Sequence, residues 1–442
     1  METCDVLVIG SGMGGMCAAA LLARQGYRVF VTERLPYIGG RCSTIDYRGF
    51  KCTTGVIGPE TGGVIQGIFD KVRADFNVRS VGPPHYLVGG KVLEVPAKGG
   101  FRALLAAATQ DRAELERVME AISRALSWME PSARISLRDW LLQYTKNEAV
   151  LGIFQAMVSA TTFVNADELP AREYFLFLKR MKGYRGFGYC PEGSIALPKA
   201  LARVVEQEGG SVWTSSPAIR ILSDRGVVRG AVVRRGGAEV QVRASVVISN
   251  CGPRRTVELV GRANMDKGYL QELDHKIKPA MVVAIQFASD IPLLDCDYLI
   301  VTGYKRINAI FQPTLVCPEL APPGKHLLLA GGAPVSSLSP LDSRGEIEIC
   351  LEELREILPG FDSHAEVLLT GTFQAEWPAM QSWPGSDMPQ KTPIVNLYNV
   401  GDGVKTSGMV ALAAAAETGA LVAEDVVHRL PVTRADGQRR GQ

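Results

Sequence analysis

The spacing of apolar positions changes several times along the chain. Asp5-Val6-Leu7-Val8-Ile9 and Arg28-Val29-Phe30-Val31 are short β-branched runs, and the Ala/Leu-rich stretch between them, from about Met13 to Gln25, has the composition of a helix. Strand, helix and strand in that order predict a β-α-β unit with a parallel sheet. Over residues 101–183 the apolar side chains instead recur near every 3.6 positions, as at Leu115, Val118, Ile122 and Leu126, which predicts an inserted helical block. A helix over 194–208 and strand runs at 212–214, 218–222, 227–233 and 245–248 then predict that the first unit resumes. Runs at 280–289, 298–302, 307–312 and 326–330 predict a second sheet. The chain closes with a strand at 397–400 and an Ala-rich helix over 408–429, and residues 431–442 predict a frayed polar tail.

Composition narrows the function classes. With 48 Lys+Arg against 46 Asp+Glu, a net charge of +2 among 442 residues argues against a nucleic-acid partner, which normally calls for a basic excess. The nine cysteines form no CxxC pair, so a reduced, cytoplasmic protein is expected. The five histidines show no i,i+4 pair, so no metal site is expected. The apolar run from Leu7 to Ala23, broken by glycines and preceded by Glu2 and Asp5, makes a poor signal peptide, and Glu417, Glu424 and Asp425 interrupt the other long apolar stretch, so no transmembrane helix is predicted. Glycine is the informative residue: 13 of the 46 fall in residues 1–67, whereas residues 101–180 hold only Gly152.

Those early glycines have a pattern. Gly10-Ser11-Gly12-Met13-Gly14-Gly15 follows a predicted strand and opens a predicted helix, the context in which GxGxxG binds a dinucleotide. Gly10 permits the tight turn, Gly12 lets backbone approach a pyrophosphate, and Gly15 allows close helix–strand packing. The helix N-terminus faces the phosphate charge. Glu33, at the end of the second strand, is placed to accept hydrogen bonds from a ribose, with Arg34 beside it.

Two further segments carry a resemblance: Gly39-Gly40-Arg41, and Asn399-Val400-Gly401-Asp402-Gly403 near the far end. With the first motif they resemble the FAD-dependent oxidoreductases of the glutathione-reductase-like fold, in the branch holding amine oxidases, protoporphyrinogen oxidases and phytoene-desaturase-like enzymes. The resemblance implies an α/β fold with a discontinuous Rossmann-like FAD-binding domain (1–70, 190–265 and 390–430). It also implies a second, α+β substrate domain (71–189 and 266–389) containing the helical insertion. FAD is then the implied cofactor. Gly39, Gly40 and Arg41 would lie along its phosphates, Asp402 after Gly401 near its ribityl-phosphate, the backbone near Ile219 against its adenine, and Gly408-Met409 would open a helix toward the flavin.

There is no second GxGxxG after a strand, so a dedicated nicotinamide domain is not expected. The stretch after Asp402 lacks the aromatic that amine oxidases tend to place there, which favours the phytoene-desaturase-like branch. Hydride transfer between flavin and an apolar C–C unit is the leading expectation, as dehydrogenation, saturation or isomerisation. Oxidation of an amine with oxygen is the alternative, and a non-redox lipid escort resembling Rab GDP-dissociation inhibitors is a second. The substrate is expected to be a small apolar molecule or an amine, with room for peripheral membrane contact. Tyr174, Phe175, Phe177, Phe187, Tyr189, Trp377 and Trp383 are candidates for an apolar tunnel, and no residue stands out as catalytic.

Overall fold

The computed structural model describes residues 1–96, 99–334, 336–338 and 342–430; the expected tail lies outside them. Its first sheet has seven strands. The strands Ser211–Trp213, Val29–Thr32, Glu2–Ile9 and Ala238–Ser249 run parallel, and Val227–Arg235 and Ala218–Asp224 continue the sheet antiparallel. Ala238–Ser249 serves two neighbours: residues 238–243 pair with Val227–Arg235, and Val247, Ile248 and Ser249 pair with Leu397, Tyr398 and Asn399. That second pairing brings the end of the chain beside its beginning.

The helices Met13–Arg24 and Ala411–Arg429 pack against each other on one face of this sheet, and both are built of small residues. Gly419 explains the closeness: a Cβ there would collide with the Gly14 carbonyl. The long apolar stretch near the end of the chain is therefore a core helix with one solvent-facing stripe. Among the described residues no helix is long and apolar enough to cross a membrane.

The second sheet runs Ala365–Phe373, Val282–Ser289, His326–Gly332, Ala309–Phe311, Tyr298–Val301, His85–Val88 and Lys91–Leu93. It is antiparallel except where Tyr298–Val301 meets His85–Val88. The predicted helical block is real and consists of five helices from Gly100 to Met181. Asp111, Ser136 and Asn147 cap three of them with side-chain oxygens. Their apolar faces form one core with Tyr86, Ile300 and Met380, so the block is fastened to the second sheet. Apolar spacing did not predict the His85–Leu93 hairpin, the strand Ala365–Phe373 or the helix Ser343–Ile357. The strand Ala365–Phe373 sits at the sheet edge with only Leu368 fully buried, and its apolar run is confined to Val367-Leu368-Leu369.

Candidate functional site

The glycine loop sits where the parallel strands end. Glu2–Ile9 ends at Gly10, at φ +93° and with its N–H donated to the Thr32 carbonyl at 2.7 Å, and the helix begins at Met13. Ser11 is buried, and its N–H and Oγ donate to Glu33 Oε2 at 2.9 and 2.7 Å; the Leu35 N–H donates to Glu33 Oε1 at 2.9 Å. Three of the four acceptor directions of this carboxylate are therefore used, two by the loop and one by the chain just after Glu33, leaving one on Oε1 for a hydroxyl. Ser11 was not singled out in the sequence, although its position inside GxGxxG was the available signal.

Arg41 and Asp402 lie against each other. The guanidinium spans the carboxylate with two 2.7 Å bonds and also donates to the carbonyls of Pro378 and Ala379 at 3.0 and 2.8 Å. Burial works against the arginine charge, but the charge and hydrogen bonds of Asp402 more than restore it, and its pKa is raised. The expected separate roles, one on phosphate and one on the ribityl chain, are thus joined in a pair that shapes the floor of the site.

Gly408-Met409 does not open the last helix. That helix starts at Ala411, while the Gly408 N–H donates to Glu173 Oε2 at 2.9 Å and the Met409 N–H donates to the Thr406 carbonyl at 3.1 Å. Both amides are already used, and Met409 is in the core, so Val410, Ala411 and Leu412 line the cavity instead. Near Ile219 the cavity is lined by its neighbours Pro217 and Ala218, and Ile219 itself follows on the strand Ala218–Asp224. Gly15 packs beneath the loop, where a Cβ would collide with the Gly10 carbonyl.

One cavity of about 1020 Å³ joins these elements to the second sheet. One half is bounded by Gly10, Gly12, Met13, Gly14, Glu33 and Arg34, by Gly39, Gly40 and Arg41, and by Gly401 and Asp402. Arg34 is exposed and meets Glu376 at 3.3 Å. Asn250, another wall residue, lies across the loop, so that a Cβ at Gly12 would collide with its amide. The other half is apolar, with Phe177, Phe187, Trp377, and the stacked rings of Tyr298 and Phe311 whose centroids are 4.4 Å apart. The expected aromatic tunnel is therefore corrected. Tyr174, Phe175 and Tyr189 are core residues, Trp383 packs on the helical core, and the Tyr298–Phe311 stack takes their place because adjacent strands bring the two rings together.

Cys42 and Cys251 also line the cavity, but burial raises both thiols, Cys42 well above its ordinary value. All nine cysteines are free, and among the described residues no cluster of three metal-binding side chains exists.

The sequence model for flavin containing amine oxidoreductases matches residues 13–427. The chain belongs to this family. An uncharacterized protein of Methanocaldococcus jannaschii is 25% identical over 408 residues, 91% of this chain and 94% of that one. Human all-trans-retinol 13,14-reductase is 26% identical over 318 residues, 62% of this chain and 51% of the enzyme. The zeta-carotene-forming phytoene desaturase of Myxococcus xanthus is 28% identical over 275 residues, 55% and 53% of the two chains. The chain thus spans about half the length of these two enzymes. An oxidoreductase from Methanosarcina mazei has the same fold, with a TM-score of 0.84 at 28% identity over 95% of this chain and 100% of that one. Putrescine oxidase, at 16% identity over 97% and 99%, matches with a TM-score of 0.70 and supports the fold alone.

This flavin oxidoreductase has walls that suit its cofactor. Neither Gly12, which caps the first helix, nor Val410, which caps the last, makes a side-chain cap bond, so two helix N-termini offer amide hydrogens to one cavity. Gly40 lines the cavity, and a Cβ there would stand in its open space. Membership of the family also sets aside the non-redox escort.

Proposed function

We propose that the enzyme binds FAD and moves hydride between that flavin and an apolar C–C unit of its substrate. The observation that carries this is the single cavity whose one half is glycine backbone and paired charge and whose other half is aromatic and aliphatic. FAD is the carrier of choice because GxGxxG, the Gly-Gly-Arg loop and the Gly401-Asp402 turn all line one cavity of about 1020 Å³, and Glu33 retains one acceptor position for a ribose hydroxyl. Bound there, the flavin accepts or donates the hydride.

The chain's own residues bind and orient. With FAD bound, the amides at Met13 and beside Gly40 would hold its pyrophosphate, and those at Val410–Leu412 would donate to the flavin, where donors favour developing negative charge. The Arg41–Asp402 pair holds the loop 378–381 against the motif at 401–403. Phe177, Phe187, Trp377 and the Tyr298–Phe311 stack exclude water from the reacting carbons. The similarity to a retinol reductase and a phytoene desaturase supports an apolar substrate, whereas residues 403–412 contain no aromatic to form an amine cage.

The purified protein is expected to be yellow and to release FAD on denaturation. In anaerobic stopped flow, a partly saturated isoprenoid should bleach the oxidised flavin or an apolar polyene should reoxidise the prereduced flavin, and an amine panel should not bleach it. A colourless protein that FAD does not reconstitute would sink the cofactor assignment; bleaching by amines with peroxide release on adding oxygen would replace the reaction.

A further inference from the structure

Two buried carboxyls are treated differently by the fold. Glu60, on the short strand Glu60–Thr61, has one closed-off oxygen with no partner among the described residues, whereas Asp387 is met by a lysine that is itself almost fully enclosed. The Lys405 side chain is 1% exposed and that of Asp387 12%. Lys405 Nζ donates to Asp387 Oδ1 at 2.7 Å and to the carbonyls of Ser382, Trp383 and Asp402 at 2.5, 3.3 and 3.1 Å. Its N–H groups thus serve four oxygens, of which three belong to one segment of chain and the fourth to the Gly401-Asp402 turn.

That segment needs an outside anchor. Residues 381–387 lie in neither a helix nor a strand, and the stretch just before them supplies Trp377, Ala379 and Gln381 to the cavity wall. Arg41 takes the carbonyls of Pro378 and Ala379, and Lys405 takes those of Ser382 and Trp383. Two cations therefore hold this wall to the turn that carries Asp402 and Gly403, both of which also line the cavity.

Stability does not account for the second of these anchors. Burial pushes the Asp387 carboxyl up to about 6 against an ordinary 3.8, the Lys405 ammonium offsets only part of that cost, and Glu173 and Asp402 add repulsion. The folded state therefore binds this proton more tightly than the unfolded chain, and ionising Asp387 as pH rises through about 6 lowers stability. The other charges nearby are already engaged. Arg41 is spent on Asp402, Glu417 on Arg180 and the Thr406 hydroxyl, and Lys278 lies over the Trp383 ring. Glu173 accepts the Gly408 N–H and packs on Gly385, where a Cβ would lie 3.2 Å from its Cγ. Buried ion pairs can often be replaced by apolar side chains without loss of stability, so what this one contributes is the geometry it enforces.

We propose that Lys405 is a positioning residue: its ammonium fixes the segment 377–387 against the 401–403 turn, so that the wall formed by Trp377 and Gln381 stays in register with the cofactor. This rests on the reading that the cavity holds FAD.

The test sets FAD release from the loaded protein beside thermal unfolding of the full chain stripped of FAD. The double variant Lys405→Met/Asp387→Leu replaces the pair by apolar side chains of similar size. It is expected to melt at or above the wild-type temperature and yet to release FAD about tenfold faster, the size of one net hydrogen bond. A pair that served stability alone would lower the melting temperature and leave release unchanged. If the double variant does not fold, Asp387→Asn decides, because its amide still accepts from the ammonium but carries no charge. Wild-type release should quicken as pH falls through about 6 and meet the rate of Asp387→Asn, which should hold steady across that window. A double variant that melts lower, FAD release equal to wild type in both variants, or wild-type release indifferent to pH around 6 would each overturn the proposal. A wild type that holds no FAD fails the cofactor reading first, and this inference with it.

Discussion

Arg41 and Asp402 are 361 residues apart in sequence and 2.7 Å apart in space, and much of the site depends on that contact. Asp402 is nearly fully buried and Arg41 about a quarter exposed, so removing one partner leaves a poorly solvated charge. Asp402→Ala is expected to cost about 3 kcal/mol, the low end for breaking a buried pair, and to reduce flavin retention; denaturant unfolding and flavin absorbance check both. Glu60 offers a residue-scale test in pH. Its folded carboxyl is held up at about 7 against an ordinary 4.5, so the folded state binds the proton more tightly than the unfolded chain. Its contribution is therefore full below about 4.5 and is lost as pH rises to about 7. Unfolding measured across that window should show the decline in the wild type and a flatter profile in Glu60→Gln.

At the scale of elements, the helix Ala171–Met181 ties the helical block to the loop before Ala411 and to the apolar half of the cavity. Its Glu173 accepts the Gly408 N–H, and its Phe177 lines the cavity. Glu173→Ala removes the acceptor of a buried amide, and about 1–3 kcal/mol is expected to be lost. Because the loop before Ala411 is what loosens, flavin affinity should fall more than helix content, as circular dichroism beside flavin titration would reveal. The two small-residue helices give a second test. Gly419→Ala places a methyl group on the Gly14 carbonyl, and overpacking of this kind costs about 1–3 kcal/mol. A variant that instead kept both its melting temperature and its flavin would contradict the close approach of the two helices.

Across the whole molecule, the cavity exists because two sheets and a helical block meet at the carboxyl ends of the parallel strands, where open α/β sheets bind ligands. The β-α-β unit, the helical block and the second sheet were legible as local periodicity, since a strand or helix buries whatever its own repeat presents. The glycine loop was legible for the same reason, because GxGxxG is a local backbone requirement placed between a strand and a helix. Other features had no local signal. Gly408 reads as the first residue of a helix until Glu173, over two hundred positions earlier, takes its amide. Tyr174 and Phe175 look as suited to a tunnel as Phe177, and only packing against Phe154 and Trp140 shows that they belong to the core. Ser11, Asn250 and Glu60 are ordinary residues in a linear reading. By itself the sequence determined the order of elements, the place of the phosphate-facing turn and, through three separated motifs, the resemblance to flavin oxidoreductases. Tertiary structure alone decided which charges pair, which amides stay free and which carboxyl is left without a partner, because hydrogen bonds and burial are set by residues that meet only when the distant segments pack.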